Sequence, residues 1–408
     1  MPMDVEIRTI TPEEFDAFYR ALEDAFSGDL RPDERENERK ITEMDRCFVA
    51  SEDGEFVGGA SAASMRMAVP GEIDVPVAGI TGVGVKPTHR RRGISTALMR
   101  RQLDDVRERG EALAALHASE GSIYGRFGFG IATFIGSIEM EVGRSAFVRG
   151  YRPSGRMRLL PREDALPMIR SVYDRARRLR PGGLDLDDRW FEWLLFVGKR
   201  DEDEPPFWAV HESDEGEPDA FAVYKVKHEW PGSVPKLELS VQLLLAATPQ
   251  AHADIWRYVC DIDLVHHVKA WNRPIDEPLL HLLREPRRLG FRVEDGMWIR
   301  LVDVPAALAL RAYAGDGRIV LEVQDPFCPW NEERYELVVD GGHATCEATD
   351  SAVDIACSVN DLGGLYLGGS TFSRLARAGL VTEVRPGALA EADVIFASRI
   401  APWSAVHF

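Results

Sequence analysis

The chain has 408 residues, of which 45% are hydrophobic and 28% charged, and its formal net charge is −18. This length exceeds one ordinary hydrophobic core and predicts two to three domains of a soluble globular protein. With no apolar run of the roughly 18 residues that span a membrane and no visible secretory signal, we expect no membrane segment. The acidity argues against nucleic acid and anionic membranes as partners and favours cationic small molecules or basic peptides, unless it serves solubility alone.

Cysteine usage indicates the compartment. The five cysteines are widely scattered, and none forms a C-x-x-C pair. This pattern is typical of reduced thiols in a cytoplasmic protein and gives no reason to expect a zinc site or another metal. The cysteines are Cys47, Cys260, Cys328, Cys346 and Cys357.

The first part of the chain predicts alternating strands and helices. Residues 5–10 read as a strand, and Thr11, Pro12 and Glu14 open a helix that runs to about Phe26. The charged segment 31–40 predicts a second helix or lid, interpreted as a solvated face. Further strands are predicted at residues 47–51, 55–67, 78–85 and 113–118.

A basic turn joins the strand ending at Val85 to a helix predicted from Ile94 to about Gly110. Its form, Arg-x-x-Gly-x-Ser, places Arg90, Gly93 and Ser95 at the start of that helix. Backbone N–H groups and the positive end of the helix dipole suit a pyrophosphate there. The turn is close to the coenzyme A loop of GNAT acetyltransferases and lacks the spacing of a nucleotide P-loop. The alternative is a solvated basic helix start without a ligand.

The same order of elements then repeats. A short helix and a strand near 131–140 complete the order of a GNAT domain, and residues 142–156 read as a linker. The turn after Ala247 lacks an Arg-x-x-Gly sequence, so we expect this second copy to shape a substrate pocket without holding coenzyme A. Its predicted elements are strands 157–160, 207–212, 219–228, 236–247 and 265–270 and helices 164–178 and 248–260.

A third pattern begins near Pro305. Four strands are read as a meander with a tight turn at residues 340–342, and the helices come after them, which is typical of an α+β layer. The strands are 318–323, 335–340, 343–348 and 353–358, and the helices are 362–368, 371–378 and 387–397. The sequence therefore divides into an α/β domain at 1–145, an α/β domain at 146–303 and an α+β domain at 304–408.

The segment after the fifth strand carries a specific resemblance. Residues 118–128 read Ala-Ser-Glu-Gly-Ser-Ile-Tyr-Gly-Arg-Phe-Gly. Together with residues 83–95, this string resembles the Eis (enhanced intracellular survival) family of acetyltransferases over the whole chain. The resemblance implies a GNAT domain, a degenerate GNAT-like domain and a C-terminal domain similar to sterol carrier protein. The alternative for the last domain is an ordinary α+β cap without a ligand. The resemblance also implies a homohexamer that transfers acetyl groups from acetyl-CoA to amines of aminoglycosides and lysine side chains.

Matching positions give the candidate cofactor site. By resemblance, backbone groups near Val83 and Val85 bind the pantetheine arm, the basic turn holds the pyrophosphate, and Ser119 and Glu120 flank the cofactor. The candidate cofactor-binding residues are Val83, Gly84, Val85, Arg90, Arg91, Arg92, Gly93, Ile94, Ser95, Thr96, Ser119 and Glu120.

Two candidate catalytic residues also follow from the resemblance. Tyr124 matches the general acid, and an unperturbed phenol with a pKa near 10 suits an alkyl thiolate leaving group. Phe408 matches the residue whose α-carboxylate is the general base. Because an α-carboxyl pKa near 3.5 makes a poor base, we expect this group to orient the ammonium and relay its proton. Aromatic packing of Tyr124 and a tail packed on its own domain are the alternatives.

The sequence says less about which residues bind the acceptor amine. Asp24, Phe26 and Trp190 are candidate substrate residues by position alone. His407 stands before the chain end, where it adds no carboxylate. An N-myristoyltransferase-type enzyme and a non-enzymatic lipid-binding protein remain alternative functions, and the sequence does not identify the acceptor amine.

Overall fold

The computed structural model describes residues 5–28, 32–148, 150–197, 204–229 and 236–408. Its elements are numbered along the chain. The helices are α1 Phe15–Phe26, α2 Pro32–Ile41, α3 Ile94–Glu108, α4 Gly121–Tyr124, α5 Arg162–Arg178, α6 Asp188–Val197, α7 Pro249–Cys260, α8 Leu279–Leu282, α9 Val304–Ala309, α10 Val359–Leu365, α11 Phe372–Arg377 and α12 Ala388–Phe396. The strands are β1 Glu6–Thr9, β2 Cys47–Glu52, β3 Glu55–Val69, β4 Ile73–Val85, β5 Leu113–His117, β6 Gly130–Ile131, β7 Phe134–Glu141, β8 Arg156–Leu160, β9 Leu184–Asp185, β10 Phe207–Glu212, β11 Pro218–Glu229, β12 Lys236–Ala246, β13 Val265–Pro274, β14 Arg292–Asp295, β15 Met297–Leu301, β16 Gly317–Gln324, β17 Glu333–Asp340, β18 His343–Ala348, β19 Ile355–Ser358 and β20 Thr382–Glu383.

Two sheets with matching order confirm the predicted tandem architecture. The first runs β1-β2-β3-β4-β5-β15-β6, and the second runs β8-β10-β11-β12-β13-β7-β14, the latter written from its other end. Each sheet is antiparallel except for one parallel pair, β4 with β5 and β12 with β13. The two sheets are therefore two copies of one α/β fold.

The two copies exchange a strand. β7 follows β6 in the chain but pairs with β13 and β14 in the second sheet, whereas β15 pairs with β5 and β6 in the first. The strand predicted near 131–140 thus belongs mainly to the sheet of the other copy. Element order alone does not say which of two similar sheets a strand completes. Because each sheet contains a strand from the other copy, the two layers are interlocked.

In each sheet, the two parallel strands stop pairing before they end. In the first sheet, β4 and β5 pair only at Ala78–Ala114 and Gly79–Ala115. In the second, the pairing of β12 with β13 ends at Val241–Ala270. A register shift opposite the neighbouring antiparallel strand marks a bulge in both β4 and β12. Both sheets therefore have an open notch beside a helix start, at α3 and at α7.

The C-terminal region has the predicted α+β composition with a different strand order. β16, β17 and β18 form the predicted meander, and a two-residue turn joins Asp340 to His343. The fourth strand departs from the prediction, because β19 pairs in parallel with β16 at the other edge, and β20 follows it. A crossover of this kind leaves no local sequence signal, whereas the hairpin turn does.

The cysteines are free and buried, and burial raises the pKa of Cys47 to about 12. No helix in the described part of the chain combines the length and apolarity needed to cross a membrane.

Candidate active site

A cleft of about 800 Å³ opens at the notch of the first sheet, and we call it the basic cleft. It lies between the end of β4, the start of α3 and the segment after β5. Most of the predicted cofactor residues line it together: Val83, Gly84, Val85, Arg90, Arg91, Gly93, Ile94, Ser95, Thr96, Ser119 and Glu120. Residues from two distant parts of the sequence are thus brought to one surface.

The start of α3 gives the cleft its preference for anions. Its N-cap is Gly93, which has a φ of 85°, in the left-handed region that favours glycine, and it provides no side chain to accept from the first turn. The first backbone N–H groups of a helix lack intrahelical acceptors, and they carry the positive end of its dipole. The exposed Arg91 lines the cleft beside them. This arrangement suits phosphate oxygens.

The other two arginines of the turn have structural partners. Arg90 donates to the carbonyl oxygen of Ala25 at 2.9 Å and so ties the turn to α1. Arg92 does not line the basic cleft, since its guanidinium is paired with Glu52. Hydrogen bonding from Arg92 lowers the pKa of that carboxyl. Of the three adjacent arginines, Arg91 is therefore placed most directly for phosphate.

Tyr124 lies at the end of α4, in the wall of the basic cleft. Its side chain is only 7% exposed, and its ring packs edge-on against Phe129. Burial raises the pKa of the phenol, against an opposing hydrogen-bond contribution from Ser119. A raised pKa keeps the phenol protonated at neutral pH, which is the form that donates a proton.

The C-terminal domain supports the turn that carries Tyr124. Asn360, in α10, donates to the carbonyl oxygens of Gly125 at 2.5 Å and Phe129 at 3.0 Å. A Cβ at Gly130 would collide with the backbone of Asn360, so the two segments touch through backbone atoms. Asn360 was not among the residues predicted from the sequence, because no local pattern connects it with a turn 235 residues earlier.

A second, smaller cavity of about 40 Å³ lies beside β4, and we call it the acidic cavity. Tyr19, Glu38, Glu43, Trp190 and Phe408 are among the residues that line it. Glu38 accepts hydrogen bonds from the hydroxyl of Tyr19 at 3.0 Å and from the indole of Trp193 at 2.9 Å. Burial and the nearby Glu38 raise the pKa of Tyr19. The cavity thus combines carboxylates with aromatic walls.

Phe408 is accommodated by a glycine and a histidine. A Cβ at Gly79 would lie 2.9 Å from the sulfur of Met65 and 3.0 Å from the Phe408 ring, so the ring packs closely over this point of β4. The ring of His117, at the end of β5, packs edge-on against Phe408 with a centroid distance of 5.1 Å. The chain end therefore reaches the notch of the first sheet.

The basic cleft and the acidic cavity lie next to each other along β4. On β4, Thr81 lines the acidic cavity and Val83 lines the basic cleft. After β5, Ser119 lines the cleft only two positions beyond His117, which contacts Phe408. A phosphate-bearing ligand and a cationic ligand can therefore meet here.

The three residues predicted to bind the acceptor lie in three different places. Trp190 lines the acidic cavity, whereas Phe26 lines the basic cleft. Asp24 lines neither of the two and pairs with Lys86 at 3.2 Å. The acids that line the acidic cavity are Glu38 and Glu43. Glu38 lies in the charged segment 31–40, which the sequence predicted to be a solvated face. In α2, Glu38 is half-buried, whereas Arg39 and Lys40 beside it are exposed.

Comparison with known proteins agrees with this architecture. The acetyltransferase (GNAT) domain matches residues 6–132, a second acetyltransferase (GNAT) domain matches 182–301, and the sterol carrier protein domain matches 304–405. An uncharacterized N-acetyltransferase of Streptomyces avermitilis is 44% identical, over 98% of this chain and 99% of its own length.

Two further relatives identify the family. N-acetyltransferase Eis of Mycobacterium bovis is 33% identical over the whole of both chains. The crystal structure of Eis1 from Mycobacterium abscessus has a TM-score of 0.86 and 33% identity, and the match covers 99% of this chain and 100% of that one. With two GNAT domains followed by a sterol carrier protein-like domain, the chain belongs to the Eis family of GNAT N-acetyltransferases.

Proposed function

We propose that this enzyme transfers an acetyl group from acetyl-CoA to a primary amine of a cationic acceptor, such as an aminoglycoside or a lysine side chain. The observation that carries the proposal is that the basic cleft and the acidic cavity lie next to each other along β4, at Val83 and Thr81. The first suits the pyrophosphate of coenzyme A, and the second suits an ammonium group. The thioester and the amine then face each other across the notch.

The cofactor is held in two ways. The first turn of α3 and Arg91 bind the pyrophosphate. The pairing of β4 with β5 ends at Gly79, so backbone groups near Val83 and Val85 face the cleft along the edge that β5 leaves, where they bind the pantetheine arm. Ser119 and Glu120 flank the cofactor on the opposite side of the cleft.

Tyr124 acts as the general acid. As the neutral amine attacks the thioester carbonyl, the bond to sulfur breaks and a thiolate leaves. The phenol of Tyr124 donates its proton to that sulfur. Its burial keeps it protonated until the thiolate develops, and Asn360 holds the turn that aims it.

The α-carboxylate of Phe408 acts as the general base. It orients the ammonium and takes its proton, through a water where the distance requires it. Glu38 and Glu43 add negative charge to the same cavity and favour binding of a cation, while Trp190 offers an aromatic face. At about 40 Å³ the cavity has room for a single ammonium group of the cationic acceptor.

The test is release of free coenzyme A thiol from acetyl-CoA in the presence of polyamine antibiotics and lysine peptides. We expect release that depends on the acceptor, and no release across the whole panel would refute the proposal. A chain extended by one glycine after Phe408 should lose at least 100-fold in kcat with unchanged acetyl-CoA affinity. Full activity of the extended chain would exclude the terminal carboxylate as the base.

Two expectations accompany the proposal. Assembly into a homohexamer follows from the family resemblance, and sedimentation equilibrium would measure it as a particle of six chains. A cytoplasmic location agrees with the five free, buried thiols, because a reducing compartment keeps such thiols unpaired. Fractionation of the cells that make the protein tests the cytoplasmic location.

A further inference from the structure

The C-terminal segment of the chain lies against the notch of the second sheet. Past Val241 and Ala270, where β12 and β13 stop pairing, a cavity of 370 Å³ lies beside the start of α7. Ile400, Trp403 and Ala405 line it together with the end of β12. These residues belong to the C-terminal segment 400–408, which we call the tail. The tail therefore lies where the equivalent notch of the first sheet has its basic cleft.

Trp403 is the largest buried side chain of the tail. It is 6% exposed, and its backbone N–H donates to the carbonyl oxygen of Pro181 at 2.8 Å. Its indole N–H donates to Oδ1 of Asn272, on β13, at 2.9 Å. The guanidinium of Arg273 lies 5.4 Å from the centre of its ring. Both N–H groups of Trp403 thus donate to residues of the second GNAT domain.

The neighbours of Trp403 are bonded in the same way. Asn272 donates through Nδ2 to the carbonyl oxygen of Ser404 at 3.1 Å, so one amide holds two consecutive tail residues. Ala401 donates to Asp276 at 3.0 Å and accepts from Arg180 at 2.6 Å. Arg180 and Asp276 also pair with each other at 2.7 Å. These bonds fix the tail in position and direction.

Beyond this anchor, the tail crosses from one copy to the other. The ring of His407 lies 5.4 Å from Trp271 of β13 and 4.0 Å from His117 of β5. Phe408 then packs against His117. From Ser404 to Phe408 the chain spans at most about 14 Å when fully extended. Such a short reach means that the anchor determines where Phe408 lies.

We infer that the notch of the second GNAT domain is a docking groove for the tail and that Asn272 is a positioning residue for catalysis. The second copy has replaced a cofactor with the chain's own C-terminal segment. Through it, this copy sets the position of Phe408 beside the acidic cavity. The consequence for catalysis rests on the proposed role of the terminal carboxylate, whereas docking itself does not.

Docking is tested by digestion with carboxypeptidase A, which removes a C-terminal phenylalanine from a loose tail. We compare the full-length enzyme with two variants, Asn272→Asp and Trp403→Phe. Asn272→Asp replaces the amide that donates to the carbonyl of Ser404 with a carboxylate, which cannot donate. Trp403→Phe removes the indole N–H that donates to Asn272. Release of Phe408 should be at least tenfold faster in both, and equal rates in all three proteins would overturn the inference.

Trp256→Phe is the matched control. Trp256 is fully buried in α7 of the same domain, and its indole N–H has no hydrogen-bond partner among the described residues. Its replacement therefore changes packing without removing a bond to the tail. We expect release of Phe408 from this variant at the wild-type rate. Faster release here, equal to that of Trp403→Phe, would show that general loosening of the domain explains the result.

Kinetics separates positioning from stability. Asn272→Asp and Trp403→Phe should lower kcat about 10- to 100-fold while the Kd of acetyl-CoA changes less than twofold. Trp256→Phe should keep the wild-type kcat. Unchanged kcat with faster release of Phe408 would refute the positioning role. Faster release with lower kcat, in an enzyme that tolerates the added glycine, would retain the docking groove and refute the terminal carboxylate as base.

Discussion

Two helix starts in this molecule occupy equivalent places and have opposite chemistry. α3 and α7 each follow a bulged strand and begin beside a notch between parallel strands. At α3 the N-cap is Gly93, which has no side chain, and the first turn faces the basic cleft. At α7 the hydroxyl of Thr248 accepts from the N–H of Ala251 at 3.1 Å, and Pro249 has no N–H.

The difference shows how two copies of one architecture can present helix starts with different capacity for an anion. A side-chain cap satisfies the same backbone donor that a phosphate would bind, so a capped helix start is a weaker anion site. The candidate acid differs too, since α4 ends in Tyr124 and the corresponding helix α8 ends in Leu282. The second copy instead binds the tail.

The largest expected effect concerns Tyr124, the proposed acid of the first copy. Tyr124→Phe should lower kcat by about 100- to 10,000-fold, because the thiolate then leaves without a proton donor. The Kd of acetyl-CoA should change less than twofold, as isothermal titration would show. Tyr258→Phe, in α7 of the second copy, is the control with wild-type kcat. An equal loss of kcat and of acetyl-CoA affinity in Tyr124→Phe would refute the acid role.

The next effect sharpens the contrast between neighbouring arginines of the basic turn. Arg91→Ala should weaken acetyl-CoA binding about 10- to 100-fold, since it removes a charged donor from the cleft. Arg92→Ala should change the Kd less than twofold, because Glu52 holds that guanidinium away from the cleft. Titration calorimetry at two salt concentrations measures both. Equal losses in the two variants would mean that the turn acts by net charge alone.

A smaller effect is expected at the capped helix start. Thr248→Ala should lower the free energy of unfolding by about 1 kcal/mol, since it removes the acceptor of the Ala251 N–H. Urea denaturation measures this change, and the stoichiometry of acetyl-CoA should remain one per chain. A second bound acetyl-CoA in the wild-type protein would contradict the distinction drawn between α3 and α7.

The smallest effect is a pH dependence. Donation requires the neutral phenol, and the raised pKa of Tyr124 shifts its deprotonation above the ordinary value of about 10. The loss of kcat caused by Tyr124 deprotonation should therefore begin only above about pH 10. A pH profile of kcat in the wild type and in Tyr124→Phe isolates this limb. A decline between pH 7 and 9 that Tyr124→Phe abolishes would contradict it.

Much of the local structure was predictable because its causes are local. Glu14 accepts from the N–H of Thr11 at 2.9 Å, as the predicted capping box requires. The tight turn after Asp340 and the left-handed Gly93 likewise follow from residues adjacent in sequence. The basic turn and the string around Tyr124 also carry the family resemblance, and the relatives confirm the family and fold.

The sequence by itself determined the tandem architecture, the basic turn and the residues that line the cleft beside it. Only the tertiary structure decided that β7 and β15 exchange sheets, that Glu38 and not Asp24 lines the acidic cavity, and that Asn360 supports the turn of Tyr124. It also decided that the tail lies in the second notch. Such contacts join residues far apart in the chain, and their energy depends on burial and geometry that no short pattern encodes.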